Sequence, residues 1–335
     1  MNISIEGFFY KLNDGNIFYA KGVSHPPGYV VAYPKYVVDS LGNRLDKDIG
    51  IRYRRLLTVS EEYNYVISKY SRYLKFDDFF GREVVVVPLT DIAYVYNPLQ
   101  RSKEIIYKGA LENPVLKDIR DMVLDISEST GIKEIGVSGS ILVNLFREDS
   151  DIDIVVYGVN NGLNVYKYLS DVIDKDPRYK RYRIRDIQGL HARRSLETPI
   201  PSEQLLKQES RKVLEGIFKG REYFIRLIKY HWEEPSYGSY KCVKLGKTTM
   251  KLRIIDSKES IFTPCRYRVE VIDVLEGVKA DVVEVYSLRG RFTEVAQEDE
   301  VIIVKGTVER IEPLSGGDYY RLYLGDQGDY IMVID

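Results

Sequence analysis

Apolar positions along the chain fall into rhythms that change character near residue 110 and again near residue 236. In the first hundred residues, short strand-like runs at Ile17–Tyr19, Tyr29–Tyr33 and Val84–Val87 predict strands, the last bounded by Gly81 and Pro88. Met1–Gly7 alternates in the same way, and His25-Pro26-Pro27-Gly28 marks a turn, because proline fixes φ and lacks a donor. Ser60–Tyr73 has a helical pattern. From Val115 to Ser129 the spacing places Leu116, Ile119, Met122, Val123 and Ile126 on one helix face, with Gly131 where a C-cap belongs. A strand at Lys133–Val137, a Ser138-Gly139-Ser140 turn, a helix over Ile141–Phe146, a strand at Asp151–Tyr157 and a helix at Leu163–Ile173 follow. Tyr182–Ile187 reads as a strand, Ser202–Phe218 as a helix capped by Gly220, and Glu222–Lys229 as another strand. Beyond Gly238, alternating runs at Lys251–Ile255, Tyr267–Val274, Asp281–Ser287, Val301–Val308 and Tyr319–Leu324 suggest a small antiparallel, OB-like barrel.

A chain of 335 residues exceeds one compact core. The expected division is an N-terminal α+β domain (1–110), a central core (111–235) and a C-terminal barrel (236–335). With 44% hydrophobic and 30% charged residues, disorder is excluded. A net charge of -1 argues against whole-molecule attraction to nucleic acid or anionic membrane. Two cysteines, Cys242 and Cys265, are too few for a disulfide framework or a four-thiolate zinc site. The chain has no apolar leader and no 18-residue apolar run, so the expectation is a cytoplasmic protein without a membrane span. Frequent Lys, Glu, Ile and Tyr suits a thermophile.

Charge is unevenly distributed. Residues 178–229 hold 14 Lys and Arg against 6 acids, and Arg181, Arg183 and Arg185 would share one face of the expected strand. Such a row could grip triphosphate or an RNA backbone, or equally form a solvated edge. Residues 270–335 hold 15 acids against 6 Lys and Arg, which weighs against a nucleic-acid-binding barrel. His25, His191 and His231 lack metal-ligand spacing.

The chemistry-bearing segment is Ser138-Gly139-Ser140, followed eleven residues after Ser140 by Asp151-Ile152-Asp153. Gly139 lets backbone approach a phosphate closely, and Ser140 opens a helix whose free N–H groups favour an anion. On a strand, Asp151 and Asp153 project from one face about 7 Å apart, while Ile152, Ile154 and Val156 face the core. Paired hard-oxygen ligands beside polyphosphate suit Mg²⁺ or Mn²⁺. Either element alone is more often a turn or a solvated acid pair; the order strand, Gly-Ser, helix, carboxylate strand is what makes the combination specific.

These motifs, with Ile154-Val155-Val156, resemble the nucleotidyltransferase core of the DNA polymerase beta superfamily over roughly residues 115–230. The whole chain also resembles archaeal predicted nucleotidyltransferases, through Gly22-Val23-Ser24-His25-Pro26-Pro27 and Glu259-Ser260-Ile261-Phe262. The resemblance implies a mixed sheet with flanking helices and Mg²⁺-dependent transfer of a nucleoside monophosphate from a nucleoside triphosphate to an acceptor hydroxyl. It also implies a third carboxylate from a later strand. Aligned on Ile225-Arg226-Leu227-Ile228, that acid falls at Phe224, so Glu222, two residues earlier on the same face, is the nearest substitute, with Asp186 and Asp256 behind it. The expected set is therefore Gly139 and Ser140 with Arg183 and Arg185 on the nucleotide, Asp151 and Asp153 on the metal, and Glu222 completing the site. RNA or protein could serve as acceptor through the basic segment. Without a third acid, the alternatives are a nucleotide- or RNA-binding protein on the same scaffold, or an assembly protein.

Overall fold

The computed structural model describes residues 5–107, 112–194 and 197–334. The described chain is a mixed α+β structure that groups into two compact units: residues 1–75, 83–180 and 217–235 in one, and 76–82, 181–216 and 236–335 in the other. The alternation expected for Met1–Gly7 lies outside the described residues as far as residue 4, and Glu6-Gly7 form a turn. Among the described residues no helix is long and apolar enough to cross a membrane.

The first unit opens on strands β1 (Phe9–Leu12), β2 (Ile17–Ala20), β3 (Tyr29–Val38), β4 (Arg44–Asp46) and β5 (Ile51–Arg55). Helix α1 (Val59–Lys69) and strands β6 (Leu74–Asp77), β7 (Arg82–Pro88) and β8 (Ile92–Tyr96) follow. They form one sheet in the order β4-β5-β3-β2-β1-β8, with β7 on β3 and β6 on β7. Next come α2 (Pro98–Tyr107) and α3 (Pro114–Thr130). Asn113 caps α3 by accepting from the backbone N–H groups of Val115 and Leu116, Pro114 occupies its first turn, and Gly131 ends it with a left-handed φ of 75°. Val115, Ile119, Met122, Val123 and Ile126 form its buried face.

The central sheet contains β9 (Ile135–Val137), β10 (Ile152–Tyr157), β11 (Tyr179–Lys180), β12 (Glu215–Phe218) and β13 (Arg221–Ile228), in the order β11-β12-β13-β10-β9. Strand β10 runs parallel to β13 and antiparallel to β9. Its continuous apolar run, Ile154-Val155-Val156, is what a strand covered on both faces requires. Helix α4 (Gly139–Leu142) follows β9 and α5 (Val159–Val172) follows β10. One core joins Tyr10, Leu12, Phe18 and Val30 of the N-terminal sheet to Val155, Tyr157 and Ile228 of the central sheet.

Two expectations change here. The run Ser202–Phe218 is not one helix: α7 stops at Glu209, and Glu215–Phe218 is strand β12. The backbone N–H groups of Val213 and Leu214 donate to the Glu294 carboxylate at 2.9 and 3.0 Å, so a side chain takes donors that helix continuation would use. Gly220 is not a helix cap but, with Lys219, the turn between β12 and β13, both at positive φ (51° and 90°). Likewise the expected strand at Tyr182–Ile187 is the start of α6 (Ile184–Arg194). The Asp186 side chain accepts from the Arg183 N–H at 2.8 Å, which satisfies a free donor at the start of a helix, so Arg181, Arg183 and Arg185 do not share a strand face.

The second unit's strands are β14 (Tyr240–Asp256), β15 (Phe262–Thr263), β16 (Cys265–Gly277), β17 (Val282–Ser287), β18 (Val301–Pro313), β19 (Tyr319–Leu324) and β20 (Tyr330–Val333). The sheet runs β14-β16-β17-β19-β18-β20, and β14 also pairs with β18, so five of its strands pair in a ring. All these pairings are antiparallel except β17 with β19. Inside lie Met250, Leu252, Ile254, Tyr267, Val304 and Leu322.

Candidate active site

Strand β10 presents Asp151 just before its first residue and Asp153 within it. Ile152 and Ile154 point the other way into the core, at 0% and 1% exposure, so the two carboxylates share the opposite face. Asp151 is exposed and Asp153 is half-buried. Burial first, and then the charge of Asp151, push the Asp153 carboxyl up to about 6, against the opposing pull of Arg55, Arg226 and Lys35. Among the described residues, neither carboxylate has a hydrogen-bond or ion-pair partner in the protein.

The Gly-Ser turn lies against this pair. Ser138 N–H donates to the backbone oxygen of Asp153 at 2.9 Å, and Ser138 Oγ donates to the oxygen of Gly7 at 2.8 Å. Gly139 has φ 63°, and a Cβ placed on it would fall on Asp153 Oδ2, 2.7 Å from Cγ. Glycine is therefore required twice over, by conformation and by proximity to the carboxylate. Helix α4 spans only Gly139–Leu142, shorter than the expected 141–146, so it is too short to carry a substantial macrodipole. What remains are the first-turn N–H groups, which have no intrahelical acceptor, and the Ser140 hydroxyl, 3.3 Å from that of Ser150. Ser150 also accepts from the Arg147 N–H at 2.9 Å. Arg221 donates to the oxygens of Glu148 and Ser150 at 2.7 and 2.9 Å, fixing the loop that leads into Asp151.

Register decides the third acid's position. Asp153 is opposite Phe224 and Ile152 opposite Tyr223, so Phe224 occupies the place beside Asp153 and Glu222 lies one step back, level with Asp151. Arg226, on the same face, pairs with the fully buried Glu6 at 2.7 Å and lies over the Phe224 ring. Among the described residues no three His, Cys, Asp or Glu side chains are arranged to hold a metal ion.

Arg183 and Arg185 are exposed at the start of α6, in the second unit. Asp186 caps that helix. Asp256 ends β14, where the backbone N–H of Lys258 holds its carboxyl below the usual range. Tyr157, at the end of β10, is 1% exposed and its hydroxyl donates to the Glu6 backbone at 3.2 Å. His25 accepts from the Val31 N–H, His191 contacts the Ile200 oxygen and His231 packs on Trp232.

The N-terminal sheet brings residues that sequence spacing did not suggest. Tyr36 and Arg55 are cross-strand partners on β3 and β5, and Tyr36 packs with Leu142, Val143 and Leu145, directly after the Gly-Ser turn. Burial raises the Tyr36 hydroxyl pKa, Arg55 and Arg44 lower it, and Asp153 and Asp151 raise it further, so it titrates in the field of the same charges. Lys35 pairs with the buried Glu62 at 2.8 Å, and Tyr19 donates to the same carboxylate. The available signal was the basic strand Ile51-Arg52-Tyr53-Arg54-Arg55, but nothing local ties it to aspartates a hundred residues later.

An uncharacterized protein of Methanocaldococcus jannaschii, MJ1086, is 24% identical over 326 residues, covering 95% of this chain and 94% of its own length. No solved structure matches the chain significantly. Residues 116–213 match the nucleotidyltransferase domain family, a span that holds the Gly-Ser turn and both aspartates. The resemblance to the DNA polymerase beta superfamily is thus borne out over this segment, and the chain carries a nucleotidyltransferase domain.

Proposed function

We infer that this chain transfers a nucleoside monophosphate from a nucleoside triphosphate to an acceptor hydroxyl. The observation that carries the reading is the absent Cβ of Gly139, which lets the Gly-Ser backbone lie against the carboxylate of Asp153 with Asp151 on the same strand face. A nucleotide phosphate held by the turn's N–H groups and by Ser140 Oγ would sit beside two acids.

Two carboxylates that repel each other, one of them half-buried and without a protein partner among the described residues, fit a divalent cation. Asp151 and Asp153 would hold Mg²⁺ or Mn²⁺, with phosphate oxygens and water as the remaining ligands. Bound there, such an ion supplies charge neutralisation at the phosphates. Glu222, level with Asp151, is the proposed acceptor of the attacking hydroxyl's proton. The exposed Arg183 and Arg185 are proposed contacts for phosphate or for an RNA or protein acceptor. We also retain the three modules 1–110, 111–235 and 236–335. The ring order β14-β16-β17-β19-β18, with its one parallel pair, supports an OB-type barrel for the last.

Incubation of the full chain with α-labelled nucleoside triphosphates and Mg²⁺ or Mn²⁺ tests the assignment. Label should pass to an acceptor in RNA, protein or small-molecule fractions and stop in Asp151→Asn and Asp153→Asn. Absence of both transfer and metal-dependent nucleotide binding in the wild type defeats it. A second reading, nucleotide or RNA binding without turnover, draws on Phe224 in the third acid's place. Metal-dependent binding that survives Asp151→Asn, with no wild-type transfer, favours it.

A further inference from the structure

Three cations lie in the field of Asp153: Arg55, Arg226 and Lys35. Two of them are committed. Arg226 is paired with Glu6, which is 0% exposed, and Lys35 with Glu62, which is 3% exposed. Arg55 differs: it is exposed, and among the described residues no acid pairs with it. Its strand neighbour Arg54 has Asp39 at 3.3 Å.

The backbone puts Arg55 at this site through independent contacts. It is the last residue of β5, opposite Tyr36 on β3, and the Tyr36 ring is buried against the residues that follow Gly139-Ser140. Arg44 donates to the Leu145 oxygen at 3.2 Å, and Asn144 donates to Asp48 at 2.9 Å, tying the β4–β5 end of the N-terminal sheet to the same segment. A guanidinium in the field of Asp153 without an acid of its own has all five donors available, in a fork that matches phosphate.

We propose that Arg55 is a phosphate-binding residue that the N-terminal sheet contributes to the transfer site. The inference rests on the transfer reading for its context. Its ligand is a phosphate group, carried either by the donor triphosphate or by the acceptor. The N-terminal sheet then has a direct role in substrate binding, beyond enclosing the central sheet.

The test uses the full chain and its Arg55→Gln and Arg55→Lys variants, titrated with the four nucleoside triphosphates, the matching nucleosides and a 5′-phosphorylated RNA oligomer, with Mg²⁺ present. Loss of a charge-assisted bidentate contact weakens binding by about 10- to 100-fold. Donor binding predicts that Arg55→Gln weakens the triphosphates by that factor while leaving the nucleosides unchanged. Acceptor binding predicts the same loss for the phosphorylated oligomer alone. Arg55→Lys should recover part of either loss, since it keeps the charge but not the fork. Because Arg55 is exposed, the variants should melt within a few degrees of wild type. Unchanged affinity for both ligands in Arg55→Gln overturns the proposal. An Arg55-dependent triphosphate affinity without any label transfer supports the phosphate contact while removing the transfer reading, so the two fail separately.

Discussion

Gly139→Ala perturbs the site at a single atom. The substitution imposes two costs that can be separated. The backbone cost is a left-handed conformation at φ 63°, about 1–2 kcal/mol for a residue with a Cβ. The steric cost falls on Asp153: the new methyl would lie 2.7 Å from Cγ, where ordinary contact begins at 3.4 Å, so the carboxyl must retreat by at least 0.7 Å. Misplacing a reacting constellation by about 1 Å can cost roughly 100-fold in rate. The natural control is Gly131→Ala, at a similar φ of 75° but with nothing within 4 Å of the added atom. Both variants should lose roughly 2–8 °C in Tm, followed by circular dichroism. Label transfer should fall about 100-fold in Gly139→Ala alone, with metal-dependent nucleotide affinity reduced alongside it. Wild-type turnover and affinity in Gly139→Ala, with Tm matching the control, would refute the placement of the phosphate beside Asp153.

Two further outcomes follow from buried groups and a third from Phe224. Burial pushes Glu294 up to about 7, against the backbone N–H groups of Val213 and Leu214 that favour its charged form. Because its folded pKa lies above the unfolded 4.5, its contribution to stability is fully present below pH 4.5 and is lost by about 3 kcal/mol as pH rises to 7. Urea unfolding at pH 5 and pH 8 should show that fall shrinking by this amount in Glu294→Gln; an unchanged slope contradicts the assignment. Lys212, at 0% exposure, bridges Glu209 at 2.9 Å and Glu215 at 3.3 Å. Arg194 pairs with the same two acids at 2.8 and 2.6 Å, so Lys212→Met leaves two buried carboxylates on one cation and should cost about 3–5 kcal/mol in denaturant unfolding, where a loss under 1 kcal/mol would show that the excess charge relaxes to water. Phe224→Asp places a third acid beside Asp153, so Mn²⁺ affinity measured by calorimetry should rise at least several-fold; no change would mean that Phe224 does not face the pair.

The sequence was most informative where local chemistry decides the outcome. The body of helix α3 with its Gly131 cap, and the alternation of Asp151 and Asp153 with buried isoleucines, could be read directly, because each depends only on near neighbours. Reading failed where a side chain took backbone donors, once from far along the chain and once from close by. Glu294 takes the N–H groups of Val213 and Leu214 and ends a helix whose periodicity continued. Asp186 converts an alternating basic run into a helix start. Nothing in a window of ten or twenty residues carries the first of these facts.

The site itself divides along the same line. Its acidic half is one contiguous segment, Ser138 to Asp153, whose spacing is fixed by a turn and a strand. Its basic half comes from the paired strands β3 and β5 and from β13, well over a hundred residues further along the chain and brought to them only by tertiary packing. The difference has a physical consequence. Asp153 titrates near 6 rather than higher because Arg55, Arg226 and Lys35 offset part of its burial. Two of those cations are themselves held by the buried Glu6 and Glu62. The N-terminal sheet therefore tunes the carboxylate pair whether or not it touches substrate. The core domain cut out alone would lack Arg55 and Lys35, leaving the carboxylates with fewer compensating charges.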